Sequence, residues 1–97
     1  MGNKNYKRGA DYEREFIAEM SHDGYLGLRT AGSHSPFDVV LIPKELGNIV
    51  LCQLKRYKKA KPKIPKSLKE IKINDEYITM WFVSRKDREK TEIEIVR

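Results

Sequence analysis

Four residues have side chains that do not suit the pattern around them: Glu13, Asp38, Gln53 and Lys55. Glu13 stands three and four residues before Phe16 and Ile17, so on a helix it shares their apolar stripe. Carboxylates seldom occupy such a face unless they are paired or bound to a cation. The plainer alternative is a carboxylate at the stripe's edge, paired with Arg14 or another neighbour. Asp38 opens the apolar run Phe37-Asp38-Val39-Val40-Leu41-Ile42. On a strand it shares one face with Val40 and Ile42, and Phe37, Val39 and Leu41 form the other. An uncompensated charge there costs on the order of several kcal/mol. It either serves a chemical purpose or caps the loop before it, accepting hydrogen bonds from the Ser33 or Ser35 amides. Gln53 and Lys55 point to one face of a later strand, behind Ile49 and Leu51. A Gln-x-Lys pair taken alone is usually a solvated strand end.

Taken together, the four residues describe an oxygen-rich site with a cation at its side. The strands carrying Asp38 and Gln53 are joined by a turn, so they are expected to pair antiparallel, with the start of one beside the end of the other. Asp38 then lies across from Gln53 and Lys55. Hard cations such as Mg²⁺ take oxygen ligands and keep several waters. The Asp38 and Glu13 carboxylates, the Gln53 side-chain carbonyl and the Leu54 backbone carbonyl would supply them. Lys55 would hold an attacking water or neutralise a pentavalent phosphate. Behind Lys55 run Arg56, Lys58, Lys59, Lys61, Lys63, Lys66 and Lys69, with Tyr57 and no acid among them. Such a run is either a solvated face or a track for phosphates, and its start at the site favours the track. Lys4, Lys7 and Arg8 add a second basic patch. These surfaces bind a phosphate backbone in a salt-dependent way without reading sequence. His22 and His34 are too sparse for a zinc set.

Positioning these residues requires a helix and several strands. The stripe Phe16, Ile17, Met20 predicts a helix over Gly9 to His22, stopped by Gly24. Tyr25 to Arg29 reads as a short strand, and Thr30 to Pro36 as a loop. Strands follow at Phe37–Ile42 and Ile49–Lys55, reversing at Gly47-Asn48. A short helix starting near Pro65 would carry Leu68, Ile71 and Lys72. Tyr77–Val83 reads as a buried strand, with Trp81 and Phe82 in core or dimer packing, and Glu92–Val96 as an edge strand. The order is α-β-β-β-α-β-β, an α/β domain around one mixed sheet.

Composition sets the outer bounds. The chain has 97 residues, 20 Lys+Arg and 14 Asp+Glu, giving a net charge of +6. That is one domain, residues 1–97, with a thin core that dimerisation would help. The single Cys52 excludes a disulfide framework and a cysteine zinc site. No apolar run approaches a membrane span, and the start does not read as a secretory signal. Tyr6 stands where a myristoylation motif wants Ser or Thr. A reducing cytoplasm of an archaeal, bacterial or viral host cell is the expected compartment. The high Lys, Arg and Glu content weakly suggests a heat-loving source.

Three segments carry a family resemblance. Lys7-Arg8-Gly9-Ala10-Asp11-Tyr12-Glu13-Arg14-Glu15-Phe16, then Arg29-Thr30-Ala31-Gly32-Ser33, then Phe37-Asp38-Val39-Val40 resemble archaeal Holliday junction resolvases of the PD-(D/E)xK nuclease superfamily. The resemblance runs from about Tyr6 to Tyr57. It implies a restriction-endonuclease-like α-β-β-β-α-β core, a homodimer, Mg²⁺ or Mn²⁺, and hydrolysis of phosphodiester bonds in branched DNA. Glu13, Asp38 and Lys55 fall on the family's catalytic positions, and Arg14 and Arg29 on positions used for DNA or for site support. Ser33 and Ser35 fall in the loop before the catalytic Asp. Gln53 replaces the family's second acid, and Gln-Leu-Lys-Arg-Tyr-Lys looks more like the Mrr-type restriction branch. Two other readings stay open: a restriction-like nuclease on nicked, flapped or duplex DNA, and a non-catalytic DNA-binding module.

Overall fold

The apolar stripe of the first segment builds α1, Lys4–His22, in the computed structural model, which describes residues 4–30, 35–87 and 89–97, with helix side chains from Gly9 onward. Tyr12, Phe16 and Met20 recur every fourth residue and are all buried. The helix begins ahead of the expected Gly9, which is exposed and where an added Cβ would meet nothing within 4 Å, so the glycine costs helix propensity and no packing requires it. The chain leaves α1 through Gly24, whose φ of 88° is the left-handed conformation that favours glycine.

Five strands follow: β1 Tyr25–Arg29, β2 Val39–Pro43, β3 Ile49–Tyr57, β4 Ile78–Lys86 and β5 Thr91–Ile95. They form one sheet in chain order. All neighbours are antiparallel except β3 and β4, which are parallel and joined by the connection carrying α2, Lys66–Lys69. The element order is the one the sequence predicts, and the domain is α/β with a mixed sheet.

Alternation along the strands sorts the core into two layers. Val39, Leu41, Val50, Cys52, Leu54 and Val83 pack against Tyr12, Phe16 and Met20 of α1. Met80 and Phe82 pack on the other face against Leu68 of α2, with Leu51, Ile64, Ile71 and Val96 around them. Gly27 of β1 lets α1 approach closely, because a Cβ there would stand 2.8 Å from the Ile17 side chain.

Several boundaries depart from expectation. Strand β2 starts at Val39, and Phe37 packs with Leu68, Met80 and Phe82 on the face opposite Val39 and Leu41. The reason is that Phe37 precedes the strand and its side is chosen by packing against Leu68, Met80 and Phe82. Strands β3 and β4 run on to Tyr57 and Lys86, because their parallel pairing continues past the buried residues. Helix α2 is a single turn, Lys66–Lys69, capped by Glu70; Ile71 packs beyond it and Lys72 is exposed. Among the described residues no helix is long and apolar enough to cross a membrane.

Candidate functional site

The site forms where the β2–β3 ladder ends. That ladder pairs Val39 with Cys52, Val40 with Leu51 and Leu41 with Val50. One step further, the Asp38 N–H donates to the Cys52 carbonyl at 2.8 Å. Strand β3 continues past this point, and its next inward-facing amide belongs to Leu54. The Asp38 Oδ2 accepts that Leu54 N–H at 2.8 Å. Asp38 thus accepts a backbone hydrogen bond from the strand beside it, and Ser33 lies outside the described residues. In an extended strand a residue's N–H and C=O leave on the same side, so the Leu54 carbonyl also faces the Asp38 side of β3.

Gln53 and Lys55 lie on the face of β3 away from α1, beside Phe82 and Ser84 of β4. The Gln53 Nε2 donates to the Pro36 carbonyl at 3.1 Å. Its Oε1 is buried and has no hydrogen-bond partner among the described residues. Lys55 is exposed, and its charge acts on Asp38. Glu13 approaches from α1, where Arg29 Nε of β1 stands 3.7 Å from its Oε1. The partner of Glu13 is thus Arg29, while Arg14 is exposed and pairs with Asp11 at 3.5 Å.

Both acids hold their protons more firmly than free carboxylates. Burial raises Asp38, against the opposing effects of the Leu54 amide and the Lys55 charge. Burial also raises Glu13; Arg29 works against it and the negative charge of Asp38 adds to it. Two partly buried carboxylates, one of them raised further by the charge of the other, are suited to a cation that would relieve both. Among the described residues no three His, Cys, Asp or Glu side chains gather. An oxygen set for a hard cation therefore depends on the neutral Gln53 Oε1 and the Leu54 carbonyl beside the two acids. The unpartnered, buried Oε1 fits that use, since an amide oxygen is an acceptable ligand for Mg²⁺ or Ca²⁺. Cys52 lies close by, but burial and then Asp38 push its thiol up to about 12, so it packs as a small apolar residue.

The basic run divides in three dimensions. Lys58 and Lys59 are exposed just past β3. Arg56 pairs with Asp87 at 3.0 Å. Lys61, expected to meet DNA, is gripped by Glu92 at 2.5 Å and Glu94 at 2.8 Å, and these hydrogen bonds raise its pKa. Acids from β5 thus neutralise a lysine that has none near it in sequence. Ser35 is described, and its Oγ accepts the Phe37 N–H at 3.0 Å. Ser33, and the side chains of Lys7 and Arg8, lie outside the described residues.

One site residue escapes sequence reasoning. Thr30 donates its N–H to the Asp38 carbonyl at 3.1 Å and its hydroxyl to the Phe37 carbonyl. Its only sequence signal is its place at the head of the loop that ends at Asp38. No family model matches the chain, and no curated protein matches it.

Proposed function

We propose that the chain is a divalent-metal-dependent endonuclease that hydrolyses phosphodiester bonds in branched DNA. It is of the Holliday junction resolvase kind, works as a homodimer, and is built on a restriction-endonuclease-like core. The observation that carries this reading is the meeting of Asp38 with the free end of β3. There the carboxylate sits on the Leu54 amide and feels the Lys55 charge, and the neighbouring residue of β3, Gln53, has a buried Oε1 with no hydrogen-bond partner among the described residues. The α-β-β-β-α-β order and the parallel β3–β4 pair support the proposed core.

Asp38, Glu13, Gln53 Oε1 and the Leu54 carbonyl would hold Mg²⁺ or Mn²⁺. When bound, the cation would polarise the phosphoryl oxygen and lower the pKa of a bound water. Lys55 sets a positive charge where the scissile phosphate gains negative charge. Arg29 holds Glu13 in place against the repulsion of Asp38. Lys58 and Lys59 extend the cationic surface along the DNA backbone.

The deciding experiment incubates the protein and Mg²⁺ with a four-way junction, a flap and a plain duplex. Preferred cutting of the junction, lost in chelator and in Asp38→Ala, is the expected result. Equal cutting of flap and duplex favours a restriction-like nuclease. Binding without cutting favours a DNA-binding module. Cutting that survives both controls removes the assignment.

A further inference from the structure

Three successive backbone carbonyls precede β2, and each meets a donor from β3 or from the residue just past β1. Gln53 Nε2 on β3 donates to the Pro36 carbonyl at 3.1 Å. The Thr30 hydroxyl, just past β1, donates to the Phe37 carbonyl. The Thr30 N–H donates to the Asp38 carbonyl at 3.1 Å. Because β2 lies between β1 and β3, the segment is held from both sides. Phe37 anchors it from beneath, buried against Leu68 and Phe82.

We propose that Thr30 and Gln53 are positioning residues, a two-sided clamp that sets the Asp38 carboxylate on the Leu54 amide. The clamp gives a physical reason for an amide at position 53. Glutamate has the same shape and, ionised, no hydrogen to donate. It would set its charged oxygens against the Pro36 carbonyl and release that side of the segment. Glutamine can do both tasks: Nε2 pins the chain while Oε1 is left without a hydrogen-bond partner among the described residues. Thr30 complements it, since one residue supplies donors to two consecutive carbonyls. Losing the Thr30 hydroxyl strands a part-buried carbonyl, which is costlier than losing an exposed hydrogen bond, whereas the Gln53–Pro36 bond is exposed and acts by holding the chain in place. The bearing of the clamp on cutting rests on the endonuclease reading; the clamp itself does not.

Amide hydrogen exchange on the whole chain, in chelator and without DNA, separates the two. The Leu54 N–H is bound by Asp38 Oδ2, so its protection reports where that carboxylate stands. Thr30→Val, Gln53→Glu and Gln53→Met should each speed Leu54 exchange by about two- to tenfold relative to Val83 in the core. Asp38→Ala should do the same, and Thr30→Ser should keep wild-type protection. Unchanged Leu54 exchange in Gln53→Glu and Gln53→Met overturns the clamp, even if the protein cuts DNA. So does a Gln53→Glu variant that needs less Mg²⁺ for half-maximal cutting and keeps Leu54 protected, for then Gln53 is a ligand alone. Lost protection in a protein that cuts no DNA upholds the clamp and removes the endonuclease reading. Should Thr30→Val not fold, Gln53→Met decides.

Discussion

The surroundings of Asp38 disfavour its charge, because burial raises its pKa. Its native pKa is raised, so the stability linked to this group is fully present below its unfolded value of about 3.9. That stability is lost as pH rises through the native value. Glu13 follows the same sign. Asp38→Asn removes the charge and keeps an oxygen to accept the Leu54 amide. The variant should therefore melt higher than wild type at pH 7, with the difference closing toward pH 3, as read by calorimetry at both pH values. Cutting should fall by about 10²-fold or more in the same variant. A lower melting temperature at pH 7 would mean that the charge is satisfied in the native protein. Ser84 makes a second test at this scale. It is fully buried, and its hydroxyl has no partner among the described residues. Ser84→Ala should leave stability unchanged or raise it by up to about 1 kcal/mol in urea unfolding.

The connection between β3 and β4 carries both the free and the spent cations. Lys58 and Lys59 are exposed, whereas Lys61 is forked between Glu92 and Glu94 of β5. Counterion release assigns roughly 0.9 of salt slope to each phosphate contact. Lys58→Gln with Lys59→Gln should thus flatten the slope of log affinity against log salt by roughly 1–2. Lys61→Gln should leave it nearly unchanged. Fluorescence anisotropy with a labelled junction checks both, and a large loss of slope in Lys61→Gln would show that DNA displaces the two acids. At the other side of the molecule, the contact between α1 and β1 depends on Gly27. A Cβ at this position meets the γ carbons of a β-branched Ile17, which has little rotamer freedom. Gly27→Ala should destabilise by about 1–3 kcal/mol through overpacking.

At the scale of the whole molecule, α1 and α2 leave parts of both sheet faces uncovered. Leu26 and Leu28 are exposed on β1, and Ile93 and Ile95 on β5. A chain of 97 residues with a net charge of +6 has a thin core and a surface that repels its own kind. If it pairs as proposed, added salt should screen that repulsion and strengthen the dimer, while the same salt weakens DNA binding. Light scattering at micromolar protein over a salt series should show twice the chain mass, rising toward full dimer with salt. A single-chain mass at every salt concentration would remove the homodimer.

Local periodicity was enough to read most of this architecture. The spacing of Phe16 and Met20 sets the buried face of α1, and the turn between β2 and β3 makes them antiparallel. Antiparallel pairing alone brings Asp38 to Gln53, so the heart of the candidate site was legible before any coordinates. The facts that escaped are long-range. Arg29 as the partner of Glu13, Thr30 as a donor to residues 37 and 38, and Glu92 and Glu94 on Lys61 join groups from different elements. The burial of Phe37 on the unexpected face belongs with them, since its side is chosen by Leu68 and Phe82 far along the chain. A side chain's face follows from backbone period, which is local. Its polar partner depends on how whole elements pack, and only the tertiary structure decides that.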